Sequence, residues 1–293
     1  AIQTWLGRVG LSEDSPPVPK MDENGSLERL QEIVLAVKAK GPLVQCLTNY
    51  VSMDFMANGL LALGAAPAMV HSVDELEVAI SKVKGAGGAV SINIGTLDAT
   101  WIESFKCAVK ACNEHQVPWV LDPVAAGFTP LRTSVATELL EMGGCAVLRG
   151  NASEILSLSG ADGASKGVDS TKGSDGAVKA AKALAAKYRC VVGISGAMDY
   201  VITPEGSQFS CEHGVAMLQK ITAAGCLVSS IIAAFVAAKP TGFTNAEATL
   251  YAFTYFGICS EAASQSSKGP GSLRANLLDE LHGFDLEQLS SDD

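Results

Sequence analysis

The chain has 293 residues, 48% of them hydrophobic and 18% charged, with a formal net charge of −10 at pH 7. That length suits one large α/β domain or two small ones around a sizeable core. The acidic balance, unbroken by any basic stretch, excludes nucleic acid as an expected partner. No membrane is expected either, because no apolar run, 226–238 included, reaches the roughly 18 residues that a spanning helix needs. The 8 cysteines (46, 107, 112, 145, 190, 211, 226 and 259) form no C-x-x-C and no paired spacing with His. That pattern predicts free thiols in a reducing compartment, with a cytoplasmic location and no zinc. Residues 1–26 lack an apolar core and contain Pro-Pro-Val-Pro, which reads as a flexible tail rather than a secretory or organelle signal.

In chain order, a helix is predicted over 27–40, with Leu27, Leu30, Val34 and Val37 on one face and Gly41-Pro42 as its stop. A short strand over 43–47 runs into Thr48-Asn49, and a helix over 54–63 closes at Gly64. A second strand, 67–70, precedes a helix over 73–84, and 88–94 is a strand ending in Asn93-Ile94-Gly95. The helix over 98–115 places Trp101, Phe105, Ala108 and Cys112 on a common face. Strand 118–122 ends in Asp122-Pro123, helix 132–142 leads to strand 145–149, and Asn151 opens a helix through 158. Residues 160–174, rich in Gly, Ser and Asp, read as a surface loop before a helix over 175–187 and a strand over 190–194. Segments 200–203 and 208–211 form an antiparallel hairpin, and helices are expected over 226–238, 244–264 and 272–288.

Short apolar strands alternating with amphipathic helices predict a mostly parallel central sheet covered by helices on both faces. With no internal repeat or linker, residues 27–288 read as one domain, and 289–293 as a C-terminal tail. Ligands of such sheets bind beyond the carboxyl ends of the strands, which directs attention to Asn49, Met69, Gly95, Asp122 and Arg149. One helical turn puts Asn151 and Glu154 on the same face. Two carboxylates, an arginine and an amide-rich helix start are what phosphoryl transfer needs. Carboxylates hold Mg²⁺ through water, the guanidinium neutralises charge, and the helix start receives an anion. The competing structural reading makes Asp122 a turn residue and Asn151 and Glu154 helix caps. The helix start in question is Ala223-Ala224-Gly225-Cys226, a turn of tiny residues feeding an almost wholly apolar helix. Neither a P-loop nor a dinucleotide-binding glycine motif is present.

The runs Leu47-Thr48-Asn49-Tyr50-Val51 and Ala57 to Ala65 resemble the N-terminal signature of the hydroxyethylthiazole kinase family. So do Asn93 to Leu97, Leu121 to Val124, Arg149 to Ile155, Lys166 to Ser170 and Lys268 to Ser272, in the family's order. The resemblance implies a ribokinase-like α/β fold and transfer of the ATP γ-phosphoryl group to 4-methyl-5-(2-hydroxyethyl)thiazole, a salvage step of thiamine biosynthesis. It further implies a homotrimer with the thiazole bound between neighbouring subunits. Carried over by position, Asp122 and Glu154 organise Mg²⁺ and the phosphates, and Arg149, Ser195 and Gly225 contact ATP. Met69, Asn49, Gly95 and Ala223 line the thiazole pocket, and Cys226 takes the place of the catalytic base of related kinases.

A thiol is a poor general base, since its ordinary pKa is about 8.5 and phosphate raises it further. Cys226 is therefore expected to position the acceptor, with the anion hole and metal carrying most of the rate. The chain departs from the family pattern at Ala223 and Ala125, where glycine is usual, and at Ser195, where threonine is usual. If position 223 needs positive φ, alanine is strained there by about 1 kcal/mol or more. Two alternatives follow: a catalytically weak or inactive thiazole- or nucleotide-binding homologue, and a ribokinase-like kinase acting on another small alcohol.

Overall fold

A computed structural model describes residues 23–160 and 170–284, with side chains described over 27–160 and 175–284. The terminal tails and the Lys166-Gly167-Val168-Asp169 part of the sequence motif lie outside the described residues. The chain begins with α1 (Glu23–Lys40), β1 (Leu43–Leu47), α2 (Met53–Leu63), β2 (Ala66–Ala68), α3 (Val73–Gly85) and β3 (Ala89–Asn93). It continues with α4 (Ala99–His115), β4 (Trp119–Asp122), α5 (Pro130–Glu141), β5 (Cys145–Asn151), α6 (Ala152–Leu158) and α7 (Ser170–Tyr188). β6 (Val191–Ser195), β7 (Asp199–Ile202), β8 (Gln208–Cys211), a 3₁₀ turn (Ala216–Lys220), α8 (Ala224–Ala238), α9 (Asn245–Gln265) and α10 (Pro270–Gly283) complete it.

The strands form one sheet in the order β2-β1-β3-β4-β5-β6-β7-β8. The pairs from β2 to β6 are parallel, and β7 and β8 are added antiparallel as a hairpin. Successive strand residues alternate between two cores, as the period of two requires. Val44, Val120, Val147 and Val201 face the layer of α1, α2, α8, α9 and α10. Leu47, Ile92, Leu121, Leu148 and Ile202 face the layer of α3 to α7.

The position of α8 determines where the site lies. It is apolar all round, and among its residues only Gly225, Cys226 and Ala237 escape full burial. Such a helix is stable only inside a protein, and it packs against α2 and α9 and on β1, β3 and β4. Gly59 on α2 makes this approach possible, since a Cβ there would lie 2.3 Å from Leu227 Cδ1.

Several boundaries differ from the sequence reading. The helix expected at 226 begins at Ala224, so Cys226 sits inside its first turn. β5 runs on to Asn151 because its ladder with β6 continues through Arg149↔Gly193 to Asn151↔Ser195. β2 ends at Ala68, leaving Met69 just past the strand. α7 starts at Ser170, within the predicted 160–174 loop, because Ser and Asp suit helix starts as well as turns. The last helix covers Pro270–Gly283, with proline in its first turn where a missing N–H costs nothing.

Candidate functional site

The carboxyl ends of five neighbouring strands carry one line of side chains joined by hydrogen bonds and, between Asp122 and Arg149, by an ion pair. Asn49, after β1, accepts from the Val51 and Ser52 amides through Oδ1, both at 3.1 Å, which fixes its amide orientation. Its Nδ2 then donates to Asn93 Oδ1 at 2.8 Å and lies 3.6 Å from Cys226 Sγ. Asn93, the last residue of β3, also accepts from the Gly95 amide and donates through Nδ2 to Asp122 Oδ2 at 2.9 Å. Asp122 ends β4 directly opposite Asn93 in the ladder. Arg149, from β5, lies 3.8 Å from Asp122 Oδ2, donates to the Gly225 carbonyl at 3.0 Å, and donates to Ser195 Oγ at the end of β6.

The expected residues Asn49, Gly95, Asp122, Arg149, Ser195, Gly225 and Cys226 thus meet in one network. Gly95 belongs there for steric reasons: a Cβ would fall 2.6 Å from Asn49 Nδ2. Met69 sits past β2 and packs, partly buried, on the core that holds α8. Ala223 precedes α8 with φ 71 and ψ 6, the left-handed conformation that disfavours a side chain. Ala125, the other replacement of a family glycine, also has positive φ, at 58. Its amide is thereby aimed at Glu154 Oε1, 2.8 Å away.

Glu154 is buried with both oxygens engaged. Oε1 accepts from Ala125, and Oε2 accepts from the Asn151 amide at 2.8 Å, closing a capping box on α6. The capping reading of Asn151 and Glu154 is therefore realised, and any contact of Glu154 with a cation runs through its remaining lone pairs. Among the described residues no group of three or more His, Cys, Asp or Glu side chains gathers to hold a metal. Two separate carboxylates fit a hard cation that keeps several waters and borrows ligands from phosphates.

The electrostatics distinguish the groups. Asp122 is 1% exposed. Burial pushes its carboxyl up to about 7, against the pull of Arg149 and its hydrogen bonds from Ser229 and Asn93. Burial likewise pushes the Cys226 thiol up to about 11, with Asp122 adding to the effect and Asn93, Asn49 and Arg149 opposing it. Cys226 is thus a neutral thiol at physiological pH. In α8 the first backbone bond runs from the Leu227 amide to Ala223 O at 2.8 Å. The Gly225 and Cys226 amides have no partner among the described residues, as a helix start leaves them.

Three residues that sequence reasoning did not single out complete the network. Asn93 was legible as a strand end of the same kind as Asp122. Ser229 donates to Asp122 Oδ2 at 2.9 Å from the second turn of α8, and its only trace in the sequence is a hydroxyl within an apolar run. Arg132 donates to the carbonyls of Ile94, Val124 and Gly95 at 3.0, 3.0 and 2.9 Å, tying together the turns after β3 and β4. The histidines do not enter the site. His71 stacks on Trp101 with ring centroids 5.0 Å apart, and His213 pairs with Glu261 at 3.3 Å. Cys46 is core packing, a fully buried residue of β1. A cavity of about 800 Å³ opens at the other end of the sheet, between the first residues of β5 and β6 and the start of α9, away from this network.

Comparisons with known proteins bear on the family and the fold. The sequence model described as "Hydroxyethylthiazole kinase family" matches residues 34–287. The chain is 45% identical to a hydroxyethylthiazole kinase of Zea mays, over 93% of this chain and 95% of that protein. It is 41% identical to the hydroxyethylthiazole kinase of Psychromonas ingrahamii, over 91% and 96% of the two chains. The solved structure of a hydroxyethylthiazole kinase protein from Pyrococcus horikoshii superposes with a TM-score of 0.80 at 37% identity, covering 90% of this chain and 96% of that one. A pyridoxal kinase of Bacillus subtilis, solved as an ADP complex, shares the fold with a TM-score of 0.53 at 18% identity.

Proposed function

The chain belongs to the hydroxyethylthiazole kinase family, and from that premise we propose how its strand-end network performs the reaction. The protein phosphorylates the hydroxyl of 4-methyl-5-(2-hydroxyethyl)thiazole, a salvage step of thiamine biosynthesis, with ATP as the phosphoryl donor. One observation carries the assignment of roles: hydrogen bonds link Asn49 and Cys226, on the acceptor side, through Asn93 to Asp122, and a 3.8 Å ion pair continues the line to Arg149 and Ser195, on the nucleotide side.

The acceptor ring lies against Met69, Ala223, Asn49 and Gly95, with its hydroxyl directed to Cys226. Arg149 is positioned over the phosphates by Ser195 and the Gly225 carbonyl. The free amides at Gly225 and Cys226 receive the transferring phosphoryl group, where positive helix-end charge opposes its negative charge. Asp122 and Glu154 would hold Mg²⁺, and the chemistry such an ion would supply is neutralisation of phosphate charge. In the transfer, a bond forms between the acceptor oxygen and the γ-phosphorus while the bond to the ADP oxygen breaks. A loose transition state releases the hydroxyl proton late, to a phosphoryl oxygen or to water, so no strong base is needed. The neutral thiol of Cys226 suits that role, because it orients the hydroxyl without taking its proton.

A homotrimer with sites at subunit interfaces is part of this proposal. It is supported by apolar side chains around the strand-end rim, where Tyr50 is 61% and Phe128 82% exposed. The eight cysteines are all free thiols, which supports a reducing compartment such as the cytoplasm. Among the described residues, no helix is long and apolar enough to cross a membrane.

A coupled assay with the thiazole alcohol, ATP and Mg²⁺ tests the assignment, with the product identified by mass. Turnover supports it. Tight thiazole binding without turnover would favour the non-catalytic homologue, and preferred turnover of a pyridoxal-type alcohol would favour another acceptor.

A further inference from the structure

Asp122 Oδ2 receives two short hydrogen bonds, one from Asn93 within the sheet and one from Ser229 Oγ on α8, each at 2.9 Å. Ser229 has one proton to give and two acceptors in reach, the carboxylate and the Gly225 carbonyl at 3.3 Å. The carboxyl is nearer, and in its ionised form it is the stronger acceptor, so it takes the proton. The Gly225 carbonyl is left to Arg149, which donates to it at 3.0 Å. The first two turns of α8 are thus bound to the nucleotide side twice, by Ser229 to Asp122 and by Arg149 to Gly225.

We propose that Ser229 is a positioning residue for phosphoryl transfer: it locks the Asp122 carboxylate to the helix whose first turn presents the Gly225 and Cys226 amides. Carboxylate and anion-holding turn then move as one body. Asn93 ties Asp122 to β3 and reaches α8 only at the Cys226 thiol, a weak acceptor, so the strong bond from carboxylate to helix is that of Ser229. Ser229 and Ser230 are the two hydroxyls of a helix otherwise made of apolar and tiny residues; both are fully buried, and Ser230 bonds only its own helix, at Leu227 O. An alanine at position 229 would satisfy the packing, so the Ser229 hydroxyl answers to its polar partners, of which the carboxylate is the nearer.

This inference rests on the kinase reading, and its test separates the two. Ser229→Ala and Ser229→Thr are compared with the parent chain in kcat, in KM for each substrate, in thermal melting, and in ATP affinity with Mg²⁺ and with chelator. Residues that orient a metal-binding carboxylate typically change affinity or activity 10- to 100-fold. Ser229→Ala is therefore expected to lower kcat by roughly tenfold or more, with KM for the alcohol nearly unchanged. The ratio of ATP affinities with and without Mg²⁺ should shrink by a similar factor. Ser229→Thr, whose hydroxyl can occupy the same rotamer facing the i−4 carbonyl, should restore both.

An alanine variant with parental kcat and parental Mg²⁺ ratio overturns the proposal. So does equal loss in both variants accompanied by equal loss of melting temperature, which would mark packing alone. If the threonine variant does not fold, the Mg²⁺ ratio of the alanine variant decides. If the parent binds Mg²⁺–ATP but does not phosphorylate the thiazole alcohol, the acceptor assignment fails while the ratio still tests Ser229.

Discussion

Replacing Ala223 by glycine should stabilise the protein, which reverses the usual sign for an alanine-to-glycine change. Ala223 has φ 71 and ψ 6 at the start of α8, where its carbonyl accepts the first helical hydrogen bond. An L-residue with a Cβ pays about 1–2 kcal/mol for this conformation. Glycine removes that cost but returns about 0.4–1 kcal/mol of freedom to the unfolded chain. Losing a half-buried methyl subtracts about 0.4 kcal/mol more. The terms leave a net gain of about 0.5 kcal/mol, or about 1–2 °C in melting temperature for a chain of this size. Denaturant titration of the parent and Ala223→Gly proteins, with slopes compared, measures it. A drop of more than about 0.5 kcal/mol would refute the argument, because packing of the methyl would then outweigh the backbone strain. Turnover should not fall in the variant, since the change only widens the turn proposed to face the acceptor.

Ala125→Gly, at φ 58, should add a gain of similar size, and the double variant should be close to additive if the two turns are independent. Cys226, with its thiol pushed up from 9.0 to about 11, should hold about 100-fold less thiolate near neutral pH than a free cysteine. Its iodoacetamide labelling should accelerate only as pH approaches 11, and a fast reaction at pH 7.5 would contradict the neutral-thiol assignment. Burial raises Asp122 in the folded protein from 3.8 to about 7, so the native state binds its proton more tightly than the unfolded chain does. Its ionisation therefore costs nothing below pH 3.8, and the cost grows as pH rises to about 7. Asp122→Asn should abolish turnover yet melt higher than the parent at pH 8, both without Mg²⁺. Equal or lower melting would mean that Arg149 compensates the buried charge. Gly95→Ala places a Cβ 2.6 Å from Asn49 Nδ2 and should raise KM for the alcohol more than KM for ATP. Unchanged kinetics for both substrates would remove Asn49 from the acceptor side.

The sequence by itself determined the layered α/β fold, the strand ends as the place to look, and the membership implied by its motifs. These are local matters: apolar periodicity sets each element, and a strand-end polar residue such as Asp122 has nowhere to project but beyond the sheet. The glycine-to-alanine changes at 125 and 223 were visible as letters, but only the backbone showed both at positive φ. The tertiary structure alone decided what the polar residues do with one another. Glu154 proved to be a cap with both oxygens occupied. Asn93 became the joint between Asn49 and Asp122. Ser229 reaches back 107 residues along the chain to Asp122. Hydrogen bonds of that span depend on how α8 lies across β1, β3 and β4. That placement comes from the summed packing of two cores, which no local stretch of sequence encodes.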